Sequence, residues 1–305
     1  LIDAARANCD ALDAIVCEKP EQSISGSLRA RWLRELHPDV TVRVVEDVLA
    51  DDDSAGWARF TIELLGYAPD VVFTSEEYGD TYARYLGAEH VCVDRARASV
   101  PISATLVRGN PHAHRAMVAP CVWAYLVPRV VLVGAESSGK TTLCRRLAAH
   151  FSTAWVAEYG REYTLRKYAD GPQTWTREEF THIAREQQRR EDAAARTAGD
   201  VLICDTDAFA TELWLERYLG APGDLRGWPV RDRPVDLYLV PEPDVAFVQD
   251  GIRDGEHLRR WMHSRFLEEL AARRIPHRVL AGTYEQRERH AFELAGALTG
   301  RSMFA

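Results

Sequence analysis

Lysine is scarce in this chain: of 38 Lys and Arg residues in 305, only Lys19, Lys140 and Lys167 are lysine. None of the three is followed at the second position by Asp, so there is no guanine-reading N-K-x-D and a GTPase switch is disfavoured. Basic surplus is lacking too. The net charge is −8, so the electrostatic footprint that holds nucleic acid or an anionic membrane is missing. No apolar run approaches the roughly 18 residues of a membrane span. The nearest, Val118 to Val127, is broken by Pro120 and closed by Pro128-Arg129. The six cysteines form no C-x-x-C pair. Most sit in apolar runs, the pattern of reduced, buried thiols in a cytoplasmic protein. The histidines are scattered, and His112-Ala113-His114 reads as the polar start of a helix rather than a metal site. No signal peptide or low-complexity segment is expected from the residues given. Asp51-Asp52-Asp53 reads as a solvated loop.

What is present begins with length. At about 150 residues per domain, the chain suggests two, and a hydrophobic content of 46% suffices for a core in each. The most informative stretch is Gly134-Ala135-Glu136-Ser137-Ser138-Gly139-Lys140-Thr141, which reads G-x-x-x-x-G-K-S/T. With so few lysines the pattern arises by chance in about one such chain in a thousand. Its context fits a phosphate-binding loop. The β-branched run Arg129 to Val133 precedes it, and Thr141 to Phe151 carries Leu143, Leu147 and Phe151 at helical spacing. Glycines let the backbone wrap so that N–H groups face phosphate oxygens, and the helix N-terminus adds its positive end. Lys140 would reach the β- and γ-phosphates and Thr141 would ligate Mg²⁺, with Gly134, Glu136, Ser137, Ser138, Gly139 and Thr142 completing an ATP cradle.

Residues 1–127 alternate strand and helix patterns. Strands are expected at Leu12 to Cys17, Val40 to Val45, Val71 to Thr74 and His90 to Val93, with helices at Leu1 to Asn8, Ser27 to Leu36, Ala55 to Leu65 and Tyr78 to Leu86. Such alternation argues for a parallel sheet covered on both faces, with ligands at the carboxyl ends of the strands. A boundary is expected near Pro128, giving domains 1–127 and 128–305. The second half offers strands at Ala154 to Ala157, Val201 to Asp205, Asp236 to Val240 and His277 to Leu280. A long helix from Thr176 to Ala198 carries an Arg- and Glu-rich face that reads as solvated. This is the pattern of a P-loop kinase core, an α/β fold.

Three carboxylates and several arginines are candidates for the chemistry. Asp205 follows four apolar residues, the Walker B shape, and would hold Mg²⁺. Asp207 reads either as the cap of the next helix or as a substrate contact. Glu158, closing the strand after the P-loop helix, would take the proton of an attacking hydroxyl; an ion pair with Arg161 or Arg166 is the alternative. Arg253, Arg259 and Arg260 suit a lid over the transferring phosphoryl group, although Arg259 and Arg260 read more simply as a solvated helix face.

Together these residues resemble the NadR-type bifunctional proteins of NAD metabolism, which join a nicotinamide-mononucleotide adenylyltransferase to a ribosylnicotinamide kinase. The P-loop, Glu158-Tyr159-Gly160-Arg161-Glu162, Asp205-Thr206-Asp207 and Asp250-Gly251-Ile252-Arg253 look like that kinase, in order. In the first half, Ser75-Glu76-Glu77, Tyr82 to Gly87 and Ile102 to Arg108 look like the adenylyltransferase. The last is similar to the I-S-x-T-x-x-R signature of nucleotidyltransferases, so the resemblance implies Ser103, Thr105 and Arg108 as ATP contacts. It also implies a Rossmann-like first domain, ATP and Mg²⁺ as cofactors, and ribosylnicotinamide and nicotinamide mononucleotide as substrates. One departure is sharp: that superfamily carries H-x-G-H after its first strand, and the motif occurs nowhere here. The chain opens at Leu, in what looks like the following helix, so the first strand and the edge of that active site are expected to be missing. Adenylyltransferase activity is accordingly not expected of this chain. The helix-turn-helix of some members is not present either, and homo-oligomer formation is left open. A rival reading, an ATP- or NAD-sensing regulator without turnover, would use the same pockets.

Overall fold

The computed structural model describes residues 1–170, 174–220, 228–249 and 255–299. The chain divides after Val107 into two compact units.

The first unit has strands β1 (Asp13–Glu18), β2 (Thr41–Glu46), β3 (Val71–Thr74) and β4 (Glu89–Cys92) and helices α1 (Ile2–Arg6), α2 (Gly26–Leu36), α3 (Ser54–Leu65) and α4 (Gly79–Leu86), and α5 (Ala104–Gly109) crosses the division. All pairing is parallel, as the alternation predicts, but the strands pair two by two. β1 joins β2 and β3 joins β4, with no ladder between the pairs among the described residues. Periodicity identifies strands; it does not say which edges meet. Val16, Ala30, Val40 and Val42 form the core beneath α2. Ser25 caps α2 by accepting from Leu28 N–H, and Asp53 caps α3 by accepting from Gly56 N–H. Part of the Asp51-Asp52-Asp53 run is therefore structural. At the end of β3, Thr74 Oγ1 lies 2.8 Å from His90 Nε2, and His90 Nδ1 lies 2.6 Å from Asp80. A methyl at Gly79 would stand 2.2 Å from His90 Nε2, so only glycine permits this approach.

The second unit is a five-stranded parallel sheet made from β5 (Arg129–Leu132), β6 (Trp155–Val156), β7 (Leu202–Asp205), β8 (Leu237–Pro241) and β9 (His277–Leu280), ordered β6-β7-β5-β8-β9. Its helices are α6 (Pro120–Leu126), α7 (Lys140–His150), α8 (Tyr159–Asp170), α9 (Arg177–Ala195), α10 (Ala208–Leu219), α11 (Arg259–Ala272) and α12 (Tyr284–Gly296). With every strand parallel, the carboxyl ends share one edge, and the central β5 delivers the glycine-rich loop to its middle. Val130, Leu132, Ile203 and Leu239 of the central strands pack against Leu143 and Leu147 of α7 and Ala291 and Ala295 of α12. Each buried Val, Leu or Ile contributes about 1.5–3 kcal/mol relative to exposure, which makes α7 a rigid support for the loop before it.

The boundary expected at 127/128 falls later than this division. The apolar run Val118 to Val127 contains α6, and its Trp123 is fully buried in the second unit, donating from Nε1 to Ala198 O at 2.9 Å. His112 meets the same indole edge-on and bonds Asp200 at 3.1 Å, and Arg233 donates to the carbonyls of Tyr125 and Val127. A single large side chain and its neighbours thus bind residues 108–127 to the second sheet. All six cysteines are free; Cys121, Cys144 and Cys204 are buried, whereas Cys92 is exposed.

Candidate active site

The loop leaving β5 takes the shape its glycines allow. Gly134 has φ +136° and Gly139, immediately before α7, has φ +90°, both in the left-handed region that favours glycine. Ser137 also sits at positive φ, and its Oγ accepts from Val248 N–H and donates to Val248 O, each at 3.2 Å. No side chain caps α7, so its first-turn amides, with the Lys140 charge beside them, remain suited to an anion. Lys140 Nζ donates to Gly134 O at 2.9 Å and Ala135 O at 2.8 Å, and Ser138 Oγ donates to Ala135 O at 2.9 Å.

The loop forms one wall of a cleft of about 550 Å³. Glu136, Ser137, Ser138, Gly139, Lys140, Thr141 and Thr142 line it, as do Glu158, just before α8, and Gly160, Arg161 and Thr164 within that helix. Trp175, Phe180, Trp214 and Tyr218 with Ile183 give the same cleft an aromatic lining. The Trp175 ring lies 5.0 Å from that of Phe180 and 5.4 Å from that of Tyr218, and Lys167 Nζ sits 5.0 Å from its centroid. Trp214 and Tyr218 are four residues apart on α10, one face of a helix.

Thr141 Oγ1 donates to Asp205 Oδ2 at 2.6 Å. The other carboxylate oxygen, Oδ1, is buried without a hydrogen-bond partner. An orphaned anionic oxygen beside the P-loop hydroxyl suits a small hard cation with oxygen ligands, so these residues fit Mg²⁺. No group of three or more His, Cys, Asp or Glu suited to a metal occurs among the described residues; a P-loop Mg²⁺ draws its other ligands from phosphates and water. Glu158 is half-buried and lines the cleft. Its carboxyl is pushed up from 4.5 to about 7, chiefly by loss of hydration and then by the Asp205 charge, against the pull of Lys140 and Arg161. Asp205 is raised too, by burial above all. Arg166 pairs with Glu162 rather than Glu158.

The remaining expected residues fall elsewhere. Asp207 is buried and does not line the cleft. Its Oδ1 caps α10 by accepting from Ala210 N–H at 3.0 Å, and its Oδ2 accepts from Tyr238 OH at 2.6 Å. Of its two readings the cap is the one seen, because both oxygens are already occupied inside the fold. Arg253 lies outside the described residues, as does Asp250-Gly251-Ile252. Ser103, Thr105 and Arg108 belong to α5 and the residue before it, and none of them lines this cleft. Ser103 Oγ accepts from Leu106 N–H at 3.2 Å, and Thr105 and Arg108 are exposed.

Arg259, read as part of a solvated face, is a clamp: Nε and NH2 donate to Glu136 O and Ser137 O, each at 3.1 Å, and NH1 to Val245 O at 2.9 Å. Arg260 is exposed, as that reading had it. Arg217 holds the Glu136 carboxylate at 3.2 Å. Sequence offered no sign of either contact, because each joins segments about 80 to 120 residues apart. Tyr284 lines the cleft next to Gly139 and comes from the stretch that closes β9.

This arrangement defines a P-loop nucleotide-binding α/β protein. A family model described as an AAA domain matches residues 129–287, just over half the chain. The Trifunctional NAD biosynthesis/regulator protein NadR of Escherichia coli (strain K12) is 31% identical over 201 residues, covering 66% of this chain and 49% of that protein. A crystal structure of NadR protein in complex with NR superposes with TM-score 0.76 at 22% identity, over 98% of this chain and 91% of that one. Another, in complex with NAD and AMP-PNP, gives 0.75 at 21% over the same shares; both likenesses speak to the fold. The chain belongs to the AAA domain family and is of the NadR type, and it spans about half the length of the curated relatives it matches. No helix among the described residues is long and apolar enough to cross a membrane.

Proposed function

We propose that the second unit is a kinase that transfers the γ-phosphoryl group of ATP to the 5′-hydroxyl of ribosylnicotinamide, giving nicotinamide mononucleotide. The observation that carries this reading is the placing of Glu158. A carboxyl raised to about 7 lines the same cleft as the P-loop and an aromatic cluster. The α7 amides and Lys140 bind and orient the β- and γ-phosphates. Mg²⁺, held by Thr141 and Asp205, would supply neutralising charge for the phosphoryl group in flight. Glu158 accepts the hydroxyl proton as the phosphoryl group transfers. Trp175, Phe180, Trp214 and Tyr218 offer π faces to a planar, cationic nicotinamide ring, in keeping with the NR-bound relative. Asp207 acts by fixing α10, which carries Trp214 and Tyr218.

We also infer that residues 1–127, the first unit together with the segment that follows it, make an adenylyltransferase-like domain with Ser103, Thr105 and Arg108 as its ATP contacts. Phosphoryl transfer tests the main reading: the chain is mixed with Mg²⁺, ATP and ribosylnicotinamide, and nicotinamide mononucleotide is followed by chromatography. Stoichiometric ADP and mononucleotide are expected. Nucleotide binding without transfer to any nucleoside would favour the sensor instead.

A further inference from the structure

The sheet stops short of Glu158. β6 pairs with β7 only through Trp155 opposite Ile203 and Val156 opposite Cys204. Asp205 is held from its other side, opposite Leu132 of β5, but Glu158 lies beyond the last pair. What spans the gap is one side chain from α9. Gln187 has no accessible surface. Its Oε1 accepts from Tyr159 N–H at 2.9 Å, and its Nε2 donates to Thr206 O at 3.4 Å and Glu191 Oε1 at 3.2 Å.

The amide does what a peptide group of the ladder would do. It accepts the N–H of the residue after Glu158 and donates to the C=O of the residue after Asp205. Its orientation is fixed by chemistry: Glu191 is an acceptor, so Nε2 faces it and Oε1 is left for Tyr159. Glu191 is itself fully buried and held by Arg231, whose guanidinium also lies 3.8 Å from Asp207. The strand ends bearing both carboxylates are thus tied to one buried polar network. Nothing in the proposed chemistry uses Gln187 directly.

We infer that Gln187 is a positioning residue, setting Glu158 against Asp205 and the P-loop. The inference rests on Glu158 acting on the acceptor hydroxyl, as proposed above. The test is a double-mutant cycle in the 305-residue chain, using Gln187→Met, Glu158→Gln and the pair, with Mg²⁺, ATP and ribosylnicotinamide. Gln187→Met keeps length and removes all three bonds. It is expected to lower kcat roughly 10- to 100-fold while KM for ATP moves by less than about twofold, since the P-loop is untouched. In the Glu158→Gln background the same change is expected to cost less than about threefold, because there is no longer a base to misplace. A merely structural role would lower thermal stability and cost the same in both backgrounds. Equal losses in both backgrounds, a change confined to KM, or unchanged kinetics would each overturn the inference. If the Met variant does not fold, Gln187→Glu serves in its place. It retains an acceptor for Tyr159 N–H, sets carboxylate against Glu191, and is expected to show the same non-additivity. A wild type that transfers nothing to the nucleoside removes the kinase reading and the inference with it; transfer with additive losses removes the inference alone.

Discussion

Replacing Glu158 by Gln should damage activity and improve stability, and the second effect can be measured without any substrate. The carboxyl is held at about 7 against an ordinary 4.5. A group raised in this way keeps its proton in the folded state while the unfolded chain has already lost it. Stability therefore falls as pH rises from about 4.5 to about 7, and the full cost is present above that window. The gap corresponds to about 3 kcal/mol. Gln has the shape of the protonated acid and cannot ionise. In metal- and nucleotide-free buffer the two proteins should melt together near pH 4.5, and the variant should be the more stable at pH 8. At 2–4 °C per kcal/mol for a domain of this size, the separation should be roughly 6–12 °C. Every other titrating group is shared and cancels in the difference, apart from Asp205, whose own repulsion by Glu158 is relieved in the same direction. The assay is a set of thermal melts from pH 4.5 to 8. The same variant should lose roughly 10²–10⁴ in kcat. A constant difference across pH, or a wild type more stable than the variant at pH 8, would refute the account of Glu158.

Other expectations follow from the same geometry. Lys140→Ala should abolish phosphoryl transfer in a chain whose circular dichroism is unchanged, and turnover above a tenth of wild type would contradict the loop's role. Asp205→Asn should raise the Mg²⁺ concentration needed for half-maximal rate and lower kcat, read from Mg²⁺ titrations at saturating ATP; an unaltered titration would remove Asp205 from the metal site. Arg259→Ala should raise KM for ATP about tenfold with little change for the nucleoside, because three carbonyls around the P-loop lose their clamp; equal effects on both substrates would argue against it. Trp175→Ala should do the opposite, raising KM for the nucleoside alone. A polypeptide of this sequence should form no detectable NAD from ATP and nicotinamide mononucleotide, since no H-x-G-H is present, and chromatography of the products checks this.

Much of this molecule was legible from residue order. Val71–Thr74 and His277–Leu280 are strands with the very ends that hydrophobic patterning gives them, and most other elements expected from the pattern differ by a residue or two, whereas α6, α8 and α12 were not among them. The P-loop with its carboxylate partner was equally plain, because G-x-x-x-x-G-K-T and an Asp after four apolar residues are contiguous signals. Local order determines these features since backbone conformation and helix starts depend on neighbours in the chain. The rest depended on contacts between distant segments. Trp123 moved the unit boundary to Val107 by burying itself below Ala198, the first four strands paired in twos, and Asp207 turned inward to Tyr238 and the α10 amides. Arg259 and Gln187 look in sequence like two more polar residues of solvated helices. Only packing shows that one clamps the P-loop and the other bridges β6 and β7. Helical periodicity says which residues share a face; what that face meets, and so whether a charge is solvated or held inside, is decided by the tertiary fold.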